Sequence, residues 1–328
     1  MTIIYSILVF LLVILVHEFG HFAVAKLSNM KVNEFSIGMG PLVASTKGEE
    51  TQYSFRAIPI GGYVALEGED EESNDPRSFK NASPLKRIAV LLAGASMNFL
   101  LAIISFMIVS SIIGTPGTTV ETVIDNSPAY VAGIKKDDVI VSIDGKQVNE
   151  WEDIIKFINE SEDLSLDFII KRGTDEIPIS LDAYVEDGVK KVGITPKYMS
   201  NVGSSFGYAI KNTISVVTDV YKFVGRLITG EMDLSSVSGP LGVIQFIGES
   251  SRSGILNVIF VMGAISANLG AFNILPIPAL DGGKIILTFF ELITGKKVPE
   301  KIEEGLNIAG FVLLFGLMIY VTIFNDIL

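Results

Sequence analysis

No cysteine occurs in the 328-residue chain, which excludes a disulfide framework and any thiolate metal site. Histidine is almost absent. His17 and His21 are the only two, and both lie in LLVILVHEFGHFAVAKL, Leu11 to Leu27. Excess positive charge is lacking as well. Lys and Arg number 25 against 37 Asp and Glu, and the net charge of −12 argues against nucleic acid as a partner. Most of the acidity lies in the central polar region, so it reads as a solvated face and not as a tail. What the chain has in quantity is apolar residues. At 49% hydrophobic and a mean hydropathy of +0.49 it is too apolar for an ordinary soluble domain and fits a membrane protein with one folded insert.

Four hydrophobic regions stand out: Ile3 to Leu27, Leu85 to Ile113, Ile255 to Ile293, and Ile308 to Phe324. The third is broken by NILPIPALDGG, Asn273 to Gly283. The first lacks a basic n-region and a small-x-small cleavage site, so it reads as a retained span and not as a signal peptide. Lys26 and Lys31 stand at or after the end of span one, and Lys86 and Arg87 at the entry of span two; Lys296, Lys297 and Lys301 lie between spans three and four. The segments before span one and after span four carry no Lys or Arg. The positive-inside rule then places both short connections in the cytoplasm, and both termini and the central region outside.

Residues 1–113 form an N-terminal membrane part whose connection, 28–84, lies on the cytoplasmic side. In it, YSFRAIPIGGYVALEGED (Tyr53 to Asp70) has strand-like runs around Pro59 and a Gly61-Gly62 turn. An acidic cluster, Glu67 to Glu72, follows as a solvated loop. The central region, 114–200, has short β-branched runs between turn signals. They predict a strand, a helix, two strands about an Asp144-Gly145 turn, a helix from Trp151, and a hairpin in LSLDFIIKRGTDEIPISL. NSPAYVAGIKKDDVIVSIDGKQV resembles the signature of a PDZ domain; an unrelated α+β insert is the alternative. In 201–253, Phe206, Ile210, Ile214, Val217, Tyr221, Val224 and Ile228 fall near helical spacing, interrupted by Lys211, Asp219, Lys222 and Arg226. A fifth span would bury those charges, so an amphipathic helix at the membrane surface, or one packed on the insert, is expected. Residues 254–328 form the C-terminal membrane part.

His17-Glu18-Phe19-Gly20-His21 fits H-E-x-x-H. On a helix, positions i and i+4 share a face, so both imidazoles reach one metal ion, and Glu18 stands beside them as a base for water at that metal. Bound to Zn²⁺, neutral imidazoles are far cheaper to bury than unpaired ones. A catalytic zinc site needs a third protein ligand and leaves a position open. With no further His and no Cys, that ligand is Asp or Glu. Asp281 is the best candidate, being the only carboxylate between Ile255 and Phe290. Pro276 and Pro278 break the helix before it. If spans one and three both enter from outside, His17, about 20 Å along the first, and Asp281, late in the third, lie together on the cytoplasmic side of the bilayer centre.

The combination of His17-Glu18-x-x-His21, Leu280-Asp281-Gly282 and a PDZ-like insert between them resembles the site-2 protease family. Within it, the chain resembles the bacterial RseP/RasP-type regulated intramembrane metalloproteases. SIGMGP (Ser36 to Pro41), AIPIGGYV (Ala57 to Val64), Gly94-x-x-x-Asn98, SGPLGV (Ser238 to Val243) and Asn273-x-x-Pro276-x-Pro278-x-Leu280-Asp281-Gly282 extend the match. The resemblance implies a polytopic α-helical membrane protein of four transmembrane helices, with a membrane-associated β-hairpin and an inserted extracytoplasmic PDZ-like α+β domain, in a bacterial inner membrane. It implies zinc ligands His17, His21 and Asp281, with Glu18 as general base for a zinc-bound water. Asn273 would hold substrate backbone, assisted by Asn98 or Asn268. Tyr53 to Val64, with Gly61, Gly62 and Tyr63, resembles the family's membrane-re-entrant hairpin, which pairs with an unwound substrate. The implied partners are single-span membrane proteins, such as anti-sigma factors or signal-peptide remnants, and the lipid bilayer. Two departures stand out: AGASMN has Ser96 and no proline where the family usually reads Ala-Gly-Pro, and only one PDZ-like domain is visible. The alternatives are a non-catalytic membrane PDZ adaptor with structural zinc and, less well supplied with intramembrane carboxylates, a zinc transporter.

Overall fold

A computed structural model describes residues 2–69, 71, 73–186, 188–231 and 237–327. Asp70 and Glu72 of the acidic cluster, residues 232–236 of the segment after the central region, and the side chain of Ile228 lie outside the described residues. The chain divides into two compact units, one made of Met1–Val109 with Ala209–Leu328, the other of Ser110–Tyr208.

Among the described residues, four helices are long and apolar enough to cross a membrane, and they lie wholly or mainly in the first unit. They are α1 (Thr2–Leu27), α2 (Pro84–Ile113), α7 (Ile255–Ile274) and α9 (Glu300–Val321, its coil continuing to Ile327). Numbers α3 to α6 fall to the helices between them, and α8 (Asp281–Thr294) follows the NILPIPALDGG break. The broken third region is thus one span, α7, and a separate amphipathic helix. The fourth helix begins eight residues earlier than its hydrophobicity suggests, because Glu300 and Glu303 occupy its first turn, where carboxylates complement the helix dipole.

The connection between α1 and α2 holds two long antiparallel strands, β1 (Val32–Lys47) and β2 (Gln52–Leu66). Phe35 pairs with both Tyr53 and Val64, and Ile37 with both Phe55 and Gly62, so the ribbon folds over itself. The corners are glycines: Gly38, Gly40 and Gly61 have φ of 84°, 82° and 80°, a region L side chains rarely adopt. SIGMGP and AIPIGGYV are thereby explained as corner sequences. The inner end of the ribbon is buried around Val32 and Leu66; the outer part exposes Met39, Leu42, Val43, Phe55 and Ile58.

The amphipathic segment expected after the central region contains one long helix, α5 (Val202–Thr229). From Ala209 onward it packs on the spans: Ala209 and Val216 join Ala102, Phe106 and Ala267, while Val217, Val220 and Val224 join Phe99, Ala271 and Leu275. Its small and β-branched residues form one face, and Lys211, Asp219, Lys222 and Arg226 stay exposed on the other. Helix α6 (Pro240–Arg252) starts in SGPLGV. The Asp326 carboxylate accepts the N–H groups of Gly239 and Leu241 at 2.9 and 3.1 Å, a cap supplied from the far end of the chain.

In the second unit, β3 (Thr115–Val123), β4 (Val139–Ile143), β5 (Lys146–Gln147), β6 (Ser165–Arg172), β7 (Asp175–Asp182) and β10 (Ile194–Met199) form a sheet of order β10-β3-β4-β6-β7, with β5 on β4. Strands β8 (Tyr184–Glu186) and β9 (Val189–Lys191) pair separately. Along β6, Leu166, Phe168 and Ile170 point inward and alternate with exposed residues. Helix α4 (Trp151–Glu160) lays Trp151, Ile154 and Ile158 on that core, after a reciprocal Glu150–Asp153 cap. The short α3 (Pro128–Val131) begins at Ser127, whose hydroxyl accepts from Tyr130 N–H. The strand–helix sequence matches the expected one, and β10 adds a strand beside β3. Inside this unit Asp138 is buried and takes two 2.8 Å bonds from Arg172. Burial pulls its carboxyl up, but the Arg172 guanidinium and the Lys135 N–H outweigh it and hold it below the usual range.

Where α1 meets the ribbon's turn, Glu50 bridges Lys26 and Arg77 at 2.8 and 2.6 Å. Those two cations lower its pKa from 4.5 to about 2. The stability this bridge contributes is present above the ordinary carboxylate pKa and is lost as pH falls from 4.5 to about 2. In thermal denaturation of the detergent-solubilised protein, Glu50→Gln should therefore melt below wild type at pH 7, and the gap should narrow below pH 4.5 and close as pH falls toward about 2.

Candidate metal centre

Three elements bring the donors together. On α1, His17 and His21 are one helical turn apart and face α2. The two helices approach closely because Gly20 and Gly94 carry no Cβ. A side chain at Gly20 would strike the Ala93 carbonyl, and one at Gly94 would strike both His17 and His21 rings. The third donor comes from the break after α7. There Ala279 is held at φ 74°, uncommon for a residue with a Cβ. Its N–H donates to Asn307 Oδ1 at 3.2 Å. Gly282 and Gly283 press against the backbone carbonyls of Ile274, Leu275 and Ile277, which leaves no space for side chains. This folded-back turn puts Asp281 at the first position of α8, aimed at the histidines.

His17 Nε2 and His21 Nε2 lie 3.1 Å apart, and Asp281 Oδ2 lies 3.2 and 3.4 Å from them. A tetrahedral zinc with bonds of about 2.05 Å has ligand atoms about 3.35 Å apart. The three separations therefore match three edges of that tetrahedron. The hydrogen bonding agrees. Asp281 Oδ2 is buried without a hydrogen-bond partner, although two ring nitrogens stand at bonding distance. His21 Nδ1 lies 2.8 Å from the Val90 carbonyl, so it carries the proton and Nε2 keeps a lone pair for a cation. Among the described residues these three side chains form the cluster able to hold a metal. Three ligands leave a position open, as catalytic zinc requires and structural zinc usually does not.

A cavity of about 250 Å³ lies beside this cluster. It is lined by His17, Glu18, His21 and Asp281, by Asn273 on α7, and by Val64 and Leu66 of β2. Glu18 Oε2 accepts the Val64 N–H at 3.1 Å, so the ribbon's inner strand orients the carboxylate. Asn273 Nδ2 donates to its own helix at Leu269 O, 3.0 Å away.

The remaining expected contacts are placed elsewhere. Asn268 bonds back to Ala264 O at 2.9 Å and does not line the cavity. Asn98 is fully buried behind His17, not beside the cavity. Gly61 is a buried corner of the ribbon, Gly62 is buried against the Ser36 carbonyl, and the Tyr63 hydroxyl is bonded to Arg56 at 2.6 Å. Val64 and Leu66 are the hairpin residues that reach the cavity. Val64 ends the segment expected to meet substrate, whereas Leu66 lies beyond it and was missed, because its reach depends on how the ribbon folds over. The alternation after Gly62, which puts Val64 and Leu66 on one side, was the available signal.

A membrane-helix scaffold with an H-E-x-x-H helix and an aspartate on a broken partner helix defines a class, the intramembrane metalloproteases. The chain matches the model of Peptidase family M50 over residues 5–317 and belongs to that family, the site-2 proteases. Its relatives include a Clostridium acetobutylicum protein provisionally named a zinc metalloprotease, 40% identical over 98% of this chain and 96% of its own. The zinc metalloprotease RasP of Oceanobacillus iheyensis is 28% identical over 99% of this chain and 98% of its own. The regulator of sigma-W protease RasP of Bacillus subtilis is 27% identical over 99% and 98%. Among solved structures, the PDZ domain of an SdrC-like protein from Listeria monocytogenes covers 26% of this chain and 90% of its own at 23% identity and a TM-score of 0.22, a likeness too low to argue from. The chain is a multi-pass membrane metalloprotease of the site-2 type.

Two substitutions test the metal centre on purified protein by zinc content. Asp281→Ala should lose most bound zinc through a missing ligand. Gly94→Ala should also fall below wild type, because its methyl displaces both imidazoles. Full zinc in Asp281→Ala would remove that residue from the ligand set.

Proposed function

We propose that the protein is an intramembrane zinc endopeptidase that cuts single-span membrane proteins within their membrane helices. The observation that carries this reading is the convergence of His17, His21 and Asp281, with matching edge lengths, on a cavity that also holds Glu18. Zinc, when bound there, supplies Lewis-acid chemistry that polarises a peptide carbonyl and acidifies water. Glu18 takes the proton from the attacking water and passes it to the leaving amine. The Val64 N–H holds one oxygen of Glu18, which limits the base to orientations facing the cavity.

A helix keeps its backbone carbonyls in its own i to i−4 hydrogen bonds, so a substrate helix unwinds before its carbonyl reaches the site. The unwound strand lies along β2 near Val64 and Leu66, where main-chain pairing accepts many sequences. Asn273 contacts its backbone beside the scissile bond.

The bacterial relatives support placement in a bacterial inner membrane, and lysine and arginine placement supports both termini and residues 114–200 outside with the active site toward the cytoplasm. The substrates in this reading are anti-sigma-factor-like proteins or signal-peptide remnants. One relative is named a regulator of sigma-W protease, which agrees with the former. The PDZ-like domain screens them by ectodomain size or by a free C-terminus. The three-ligand cluster favours this reading over an adaptor closed by a fourth ligand.

The test is a tagged single-span reporter with a short ectodomain, expressed with wild type or Glu18→Gln. Wild type should cut within the reporter's membrane segment. Glu18→Gln should keep its zinc and lose cleavage by at least about 100-fold. Cleavage by Glu18→Gln at the wild-type rate would sink the mechanism.

A further inference from the structure

Gly94-x-x-x-Asn98 matched a family pattern without acquiring a role in the reaction. The α2 residues opposite the histidines are Val90, Gly94 and Asn98, spaced by four and hence on one helix face. Each meets the metal-binding turn of α1. The Val90 carbonyl meets His21 Nδ1 at 2.8 Å, Gly94 makes room for both rings, and the Asn98 amide meets His17 Nδ1 at 3.2 Å. Asn98 is wholly buried, and Ser266 Oγ donates to its backbone carbonyl at 2.8 Å, which ties this point of α2 to α7.

The polarity of the Asn98 contact is the informative detail. It is Nδ2 that stands toward His17 Nδ1, while Oδ1 is buried with no partner. If His17 Nε2 gives its lone pair to a cation, Nδ1 carries a proton, and two donors then face each other. The two ends of an amide have the same shape, and the hydrogen-bond network decides which is which. Turning the amide by half a revolution repairs both faults. Oδ1 then accepts Nδ1–H, and the Asn98 oxygen is no longer a buried acceptor without a donor.

We infer that Asn98 is a positioning residue for the metal centre: its Oδ1 accepts the His17 Nδ1 proton, fixing the tautomer that turns Nε2 toward Asp281. With the Val90 carbonyl doing the same for His21, one face of α2 sets the protonation of both imidazoles. This rests on the reading of His17, His21 and Asp281 as the metal ligands. It replaces the expectation that Asn98 touches substrate, since the residue lies behind His17.

The experiment uses the full chain in detergent, titrated with Zn²⁺ against a chelator of known affinity and with Co²⁺ for its d–d absorption. Asn98→Leu should bind zinc about 10- to 100-fold more weakly, in the range of a lost partner to a ligating histidine, with a shifted cobalt spectrum. Asn98→Asp, an acceptor of nearly the same shape, should return zinc affinity to within about threefold of wild type. Asn98→Ala replaces the leucine variant if that does not fold. Wild-type affinity in Asn98→Leu or Asn98→Ala would overturn the inference, and so would Asn98→Asp as weak as Asn98→Leu, since then the amide donates. His17→Ala separates the two levels: full zinc binding there would overturn the metal site itself.

Discussion

Everything in the membrane unit depends on one requirement: two imidazoles and a carboxylate must share a single small volume among apolar helices. Unpaired, such groups are costly to bury; converging on a cation, they are not. The requirement explains why α1 and α2 touch through glycines where most helix pairs touch through larger side chains. Gly20 and Gly94 bring the backbones close enough for the His17 and His21 rings to lie between the helices. It also explains the folded-back turn after α7, where Gly282 and Gly283 pack on carbonyls so that Asp281 arrives from the opposite side.

The β1–β2 ribbon serves the same site from a third direction. Its glycine corners fold it back so that its inner strand passes along the cavity. There the Val64 N–H holds Glu18. Farther out, Arg56 bonds Glu34 at 2.8 Å, the Tyr63 hydroxyl at 2.6 Å and the Gly40 carbonyl at 2.8 Å. Arg56 thus ties the two strands of the ribbon to each other. Helices thus fix the metal donors, and a strand holds the carboxylate beside them.

The second unit obeys ordinary soluble-domain rules. Its core is built from alternating strand residues and one amphipathic helix, and its buried Asp138 is matched by Arg172. Helix α5 follows different rules past Tyr208, where it packs along α2 and α7. Its charges, which the sequence set against a fifth span, occupy a single exposed face. The opposite face is made of Ala209, Thr213, Val217, Val220 and Val224.

The sequence by itself determined the parts governed by local periodicity and residue chemistry. Apolar runs of spanning length set the membrane helices, alternation set the strands of residues 114–200, and the chain's two histidines at i and i+4 left little choice of metal-binding face. The lone carboxylate after Pro276 and Pro278 pointed to Asp281. The tertiary structure alone decided what depends on contacts between distant segments. It alone showed that three donor atoms stand at tetrahedral edge lengths, that Val64 and not Gly61 to Tyr63 reaches Glu18, and that Asn98 backs His17. It also placed Asp326 as the cap of α6. No local pattern encodes these, because each joins residues 46 to 264 positions apart, and such pairs meet only once the helices and the ribbon have packed.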